Sequence, residues 1–276
     1  MKPIISLDEI KKIDNVVFVD CRHFLNNPKL GKMKFDESHI PDSFFMDANQ
    51  DLSSPEKIEQ RKYGRHPLPE KNIFIKNLAN MGINSNTSLI SYDDVGGVFA
   101  ARFWWMCKWI GHTNCAVLDG GINSWLKDGK SLSSDIKTNP QGNIVLKSSL
   151  SCEWKYEQIK AWVDHGSNTE IYTLIDARAP ARFEGEEEPI DIKAGHVPGA
   201  LNRPFTENLT PDGLFKSKEK LREEFLSILG NNNPNSVVHM CGSGITACHN
   251  LISMEFAELY GSSLYVGSWS EWCNKT

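Results

Sequence analysis

Tyr172-Thr173-Leu174-Ile175-Asp176-Ala177-Arg178 is a short apolar run, rich in β-formers, that stops at Asp-x-Arg. It has a twin early in the chain, Val16-Val17-Phe18-Val19-Asp20-Cys21-Arg22. Outward from this pair, each copy next reaches a His-x-Pro: Ser38-His39-Ile40-Pro41-Asp42 in the first and Gly195-His196-Val197-Pro198-Gly199 in the second. A second apolar run then stops at a polar or reactive residue before a glycine-containing turn, as Ser88-Leu89-Ile90-Ser91-Tyr92-Asp93 and as Ser236-Val237-Val238-His239-Met240-Cys241. Leu118-Asp119-Gly120-Gly121-Ile122-Asn123-Ser124-Trp125 is matched last by Tyr265-Val266-Gly267-Ser268-Trp269-Ser270-Glu271-Trp272. The spacings Asp20 to His39 and Asp176 to His196 agree to within one residue, as do Asp93 to Trp125 and Cys241 to Trp272. Landmarks repeated in one order at near-equal spacing mark an internal duplication.

A chain of 276 residues suits two domains of ordinary size. The duplication predicts a first domain over 1–130, a polar linker over 131–142 and a second domain over 143–276. Within each copy the β-rich runs alternate with helical patterns, at 69–81 and 97–109 and again at 217–229 and 246–260. That alternation predicts an α/β fold in which each domain is a mainly parallel sheet flanked by helices. Ligands of such sheets bind beyond the carboxyl ends of the strands, where Asp93 and Cys241 fall.

The net charge is −5 and no lysine- or arginine-rich block is present, which argues against a nucleic-acid partner. No apolar run has the length of a signal peptide or a membrane span, so a cytoplasmic protein with no membrane partner is expected. The seven cysteines are scattered and contain no C-x-x-C pair. This suits reduced thiols rather than a disulfide scaffold or a zinc site, and no metal or other cofactor is expected. A free cysteine is ordinarily a small buried hydrophobe, so a chemical role needs a special setting.

Cys241 has such a setting. In Cys241-Gly242-Ser243-Gly244-Ile245-Thr246 a cysteine at a strand end is followed by two glycines around a serine and then by a helix start. Glycines let the backbone curl so that successive N–H groups point at one spot, and the helix N-terminus adds partial positive charge. The spot at their focus stabilises a thiolate, the form of cysteine that acts as a nucleophile.

The paired Asp-x-Arg and His-x-Pro motifs, Tyr92-Asp93-Asp94, Phe99-Ala100-Ala101-Arg102, Leu118-Asp119-Gly120-Gly121 and the Cys241 loop together resemble the tandem-domain rhodanese-type sulfurtransferases, over nearly the whole chain. The resemblance implies two tandem rhodanese-like domains, the first catalytically silent with Asp93 where the second has a persulfide-forming Cys241. Within that family the loop resembles the 3-mercaptopyruvate sulfurtransferase branch, whose Cys-Gly-Ser-Gly-Val-Thr differs only at Ile245. The implied activity moves sulfur from 3-mercaptopyruvate to a thiol acceptor such as thioredoxin, or to cyanide, and releases pyruvate. Thiosulfate as donor is the alternative, and a non-catalytic binding module a remote one.

Chemistry supports the division between donors. Thiosulfate is a compact dianion that profits from cations beside the nucleophile, whereas mercaptopyruvate needs an arginine fork for its carboxylate and neutral donors for its ketone. Arg182 matches the family's carboxylate-binding arginine, and Ser243 is the loop serine assigned to catalysis. A second arginine, usual after a Glu-Pro pair, is missing: Glu188-Pro189 runs into Ile190. Arg203 is a candidate replacement, with a solvent-facing strand residue as the competing reading. Asp47 and His66 match first-domain positions discussed as a polar relay toward Ser243, against a structural reading for the histidine. His39 and His196 read as structural, and Asp20–Arg22 and Asp176–Arg178 as strand-end ion pairs. A cysteine phosphatase, which also cradles a thiolate, needs an arginine six residues after the cysteine, and Ala247 stands there.

Overall fold

The computed structural model describes residues 1–276. Contacts divide the chain into two units: Met1–Ser54 with Leu68–Leu150, and Pro55–Pro67 with Ser151–Thr276. The first unit contains β1 (Ile4–Ile5), α1 (Leu7–Ile10), β2 (Val16–Asp20), α2 (Leu30–Glu37), β3 (Phe44–Phe45), α4 (Lys71–Asn80), β4 (Ser88–Tyr92), α5 (Val98–Trp109), β5 (Cys115–Leu118) and α6 (Gly121–Lys127). Helix α3 (Pro55–Gln60) falls among the residues that cluster with the second unit. That unit continues with β6 (Cys152–Trp154), α7 (Tyr156–Asp164), β7 (Thr173–Asp176), α8 (Pro180–Glu184), β8 (Leu201–Asn202), α9 (Lys218–Leu229), β9 (Val237–Met240), α10 (Thr246–Phe256), β10 (Ser263–Tyr265) and α11 (Ser268–Lys275).

The duplication is written in the sheets. One runs β1-β5-β4-β2-β3 and the other β6-β10-β9-β7-β8, so strand n of the first unit takes the place of strand n plus five in the second. Every pairing is parallel. Each Asp-x-Arg closes into a buried ion pair at its strand end, Arg22–Asp20 and Arg178–Asp176, both at 2.7 Å. Each His-x-Pro histidine stacks on a phenylalanine and hydrogen-bonds that residue's carbonyl oxygen, His39 on Phe35 and His196 on Phe183. Residues 131–142 carry no helix or paired strand and lie along the first unit, where Ser133 bridges His39 and Gly142 N–H donates to Ala79 O at 2.7 Å.

Strand β9 displays the two-residue alternation of a sheet covered on both faces. Val238 and Met240 join Trp162, Leu174, Tyr265, Trp269 and Trp272 on one side. Val237 packs with Leu221, Phe225 and Met254 on the other. His239 turns to that second side, with Nε2 3.1 Å from Met254 Sδ and its ring edge-on to Phe225.

Burial pushes the His239 ring down from 6.5 to about 3, and the Arg203 charge adds to the shift. The unfolded chain therefore binds a proton that the folded one refuses, so His239 contributes fully above its unfolded value and loses that contribution as pH falls toward 3. Between about pH 7 and about pH 5 this ring alone should lower the unfolding free energy by about 2 kcal/mol. Urea denaturation at both pH values checks this. His239→Leu should flatten the dependence without abolishing it, because burial depresses His23 and His112 as well.

Candidate active site at Cys241

Cys241 follows the last residue of β9, and the loop it opens ends where Thr246 begins α10. Its Sγ accepts the backbone N–H groups of Ser243 at 3.4 Å and Gly244 at 3.1 Å. Gly244 makes this possible with a φ of +78°, and a β-carbon there would stand 2.5 Å from Val266 O. Ile245 is buried behind the loop, and its carbonyl accepts Cys248 N–H at 3.0 Å in the first turn of α10. Two backbone donors thus meet the sulfur beside the start of a helix.

The other face of the loop is tied to the start of α11. Cys241 N–H donates to Ser268 Oγ at 3.1 Å, and that hydroxyl donates to Tyr265 O at 2.9 Å. Trp269 N–H donates to Cys241 O and Ser270 N–H to Gly242 O, each at 2.9 Å. Ser268 holds a left-handed φ of 53°, which is unusual for a residue with a side chain and places its hydroxyl under the cysteine. The first unit has Gly121 at the matching place, also left-handed, where a β-carbon would stand 2.0 Å from Asp93 O. That serine-for-glycine exchange was visible in the two aligned copies.

The matching loop of the first unit is filled by its own carboxylate. Asp93 Oδ1 accepts the N–H groups of Val95 and Gly97, and Oδ2 those of Phe99 and Ala100, at 2.8–3.0 Å. Burial raises the Asp93 carboxyl above the usual range, with the four donors pulling the other way. The same backbone concavity thus holds a carboxylate in one unit and a thiol in the other.

Two guanidinium groups converge on Gly242. A β-carbon on that residue would stand 2.7 Å from Arg65 Nη2 and 3.5 Å from Arg182 Nη1. Arg182 lies on α8 and donates through Nη2 to Glu188 Oε1 at 2.7 Å and to Asp191 Oδ2 at 3.3 Å. Arg65 pairs with the other oxygen of Asp191. Glu188 is buried, which raises its carboxyl, but the N–H of Asp191, Arg182 and the N–H of Ile190 outweigh burial and hold it below the usual range. Sequence reasoning singled out Arg182 and missed Arg65, Glu188, Asp191 and Ser268. The available signal for Arg65 was its place beside His66.

His66 belongs by contacts to the second unit, and its Nδ1 shares a 2.7 Å hydrogen bond with Ser243 Oγ. Asp47 lies in the first unit, where Oδ1 accepts the N–H groups of Asn49 and Gln50 and Oδ2 is 3.9 Å from His23 Nδ1. Arg203, a candidate replacement for the second arginine, is committed elsewhere. It is buried across the Phe225 ring and bonded to Glu207, Asn208 and Glu224. Cys248 Sγ lies 3.3 Å from Gly244 O, and burial raises the Cys273 thiol. No group of three or more His, Cys, Asp or Glu side chains is arranged to hold a metal ion, and no helix is long and apolar enough to cross a membrane.

A duplicated parallel α/β unit, with a thiol at the carboxyl edge of one sheet and a carboxylate at the same point of the other, defines a class of proteins built around a cysteine loop. The chain belongs to the rhodanese-like family, whose domain matches residues 6–128 and again 156–275. It is 37% identical over 259 residues to the probable 3-mercaptopyruvate sulfurtransferase of Pseudomonas aeruginosa, covering 94% of this chain and 89% of that one. It is 30% identical over 262 residues to the thiosulfate sulfurtransferase of Mus musculus, covering 92% and 84%. The solved 3-mercaptopyruvate sulfurtransferase from Leishmania major superposes with a TM-score of 0.85 at 26% identity, covering 99% of this chain and 75% of that one.

The network around Arg203 is structural. Arg203→Met keeps the contact with Phe225 but removes charged hydrogen bonds, so it should cost about 1.5–3 kcal/mol in chemical denaturation. The rate at which iodoacetamide alkylates Cys241 should not change.

Proposed function

We propose that the chain is a sulfurtransferase that takes sulfur from 3-mercaptopyruvate onto Cys241 as a persulfide and passes it to a thiol. One observation carries this reading: the Cys241 sulfur sits under two backbone N–H donors, beside a glycine on which Arg65 and Arg182 converge. The identity with relatives of that name supports it. Arg182, with Arg65, binds the donor's carboxylate, and the Cys241 thiolate attacks its sulfur. As the new S–S bond forms, the C–S bond breaks and its electron pair passes to the carbon as the enolate of pyruvate. Protonation at carbon releases pyruvate and leaves Cys241 bearing one extra sulfur.

Ser243 acts at this point. Its hydroxyl, bonded to His66, donates toward the enolate oxygen as negative charge develops there, in a preorganised site where such a donor counts most. Asp47 is not needed for this account of the relay. In the second half-reaction a thiolate, that of reduced thioredoxin being a suitable one, attacks the outer sulfur and regenerates the Cys241 thiolate. Cyanide serves as an artificial acceptor.

Thiosulfate as donor is the second reading, favoured by the two cations beside Gly242 and by the mouse relative's name. Steady-state rates with both donors separate the readings: kcat/KM should be higher with mercaptopyruvate, and the reverse order would move the protein to the thiosulfate reading. Arg182→Ala should lower kcat/KM for mercaptopyruvate about 10- to 150-fold, the worth of about 1.5–3 kcal/mol for a hydrogen bond to a charged group. Arg182→Lys should recover part of that loss, since it returns the charge without the planar fork. Wild-type kinetics in Arg182→Ala would remove the carboxylate-binding role.

A further inference from the structure

Deepening the donor reading above, on which its kinetic part rests, we propose that Asp191 is the specificity-determining residue of the site: a built-in counter-ion that disfavours dianionic donors. The Asp191 side chain is only 4% exposed, and its two oxygens are divided between Arg65 and Arg182. Those guanidiniums are the ones that close on Gly242. The two positive charges beside the nucleophile are therefore balanced by two negative ones, Asp191 and Glu188, before any donor arrives.

The two carboxylates do different work. Glu188 accepts the N–H groups of Ile190 and Asp191 at 3.0 Å and lies 3.5 Å from Arg178, so it shapes the segment that carries it. Asp191 turns its carboxylate to the two arginines, while its backbone is steadied a little further on, where Trp269 Nε1 donates to Lys193 O at 2.9 Å. Asp191 thus sits where an incoming anion seeks the same donors. A monoanionic carboxylate can exchange for it on the arginine fork, like for like. A dianion that enters while Asp191 stays meets twice the repulsion, because Coulomb energy scales with the product of the charges. The Gly-Ser loop alone does not exclude thiosulfate from a site with two arginines; the internal carboxylate does.

Asp191→Asn keeps the size of the side chain, removes its charge and leaves one acceptor oxygen for the two arginines. The Cys241 thiolate attacks the CH2 carbon of iodoacetate and of iodoacetamide alike and displaces iodide from each; the two differ in one carboxylate, so the ratio of their alkylation rates reads the anion affinity of the site whatever the natural donor is. The ratio should rise about tenfold in Asp191→Asn, the low end for a charge-assisted contact. With donors, KM should fall, and kcat/KM should rise more for thiosulfate than for mercaptopyruvate. An unchanged alkylation ratio in folded Asp191→Asn would overturn the proposal, as would an equal gain for both donors. If neither donor is turned over, the donor reading fails and the alkylation ratio still decides the role of Asp191. Should the variant fold poorly, the wild type serves: its ratio should stay within a few-fold of that of the uncharged thiol N-acetylcysteine amide, and a large preference for iodoacetate would show the arginines to be uncompensated.

Discussion

The convergence of backbone N–H groups on one atom at the carboxyl end of a central strand is the constraint on which the rest of the structure depends. The turn after β9 must curl tightly enough for Ser243 and Gly244 to reach the Cys241 sulfur, which requires a left-handed glycine at 244 with Val266 pressed against it. The turn after β4 meets the same demand with four donors on Asp93. A concavity of this kind is costly to leave empty, because its N–H groups are buried and need an acceptor. The first unit supplies a fixed carboxylate, Asp93. The second supplies a sulfur, Cys241, which accepts two of the donors.

Ser268 and the first residues of α11 fasten the loop from below. Arg65 and Arg182 provide the positive field, and Glu188 and Asp191 neutralise it in the absence of a ligand. Arg178, which resembles these two in the sequence, is instead spent on Asp176 and on the Trp269 ring, and it secures the strand end.

Much of the fold was legible because duplication writes every landmark twice. The parallel sheets follow from a two-residue alternation interleaved with helices, and the Asp-x-Arg ion pairs were readable at the strand ends, whereas the strand order and the stacking of His39 and His196 on phenylalanines are set by tertiary packing. Cys241 and its loop were legible through the duplication as well. Arg65 was not, since residues 55–67 leave their neighbours in sequence and cluster with the second unit, a choice no local pattern encodes. Asp191 was hidden by an expectation of positive charge near Ile190; the second guanidinium comes from elsewhere in the chain, and a carboxylate stands between the two. Arg203 misled because an arginine beside a strand reads as available, whereas it pairs locally with Glu207 four residues on and, through tertiary packing, with Glu224 of α9.

In the proposed cycle sulfur travels on Cys241. Peptide mass spectrometry after a brief exposure to 3-mercaptopyruvate, with the products trapped by alkylation, tests it most directly. One added sulfur atom is expected on the peptide that carries Cys241, removed by reduced thioredoxin or cyanide, and none in Cys241→Ser. An added sulfur on another cysteine, or sulfur transfer that persists in Cys241→Ser, would contradict it.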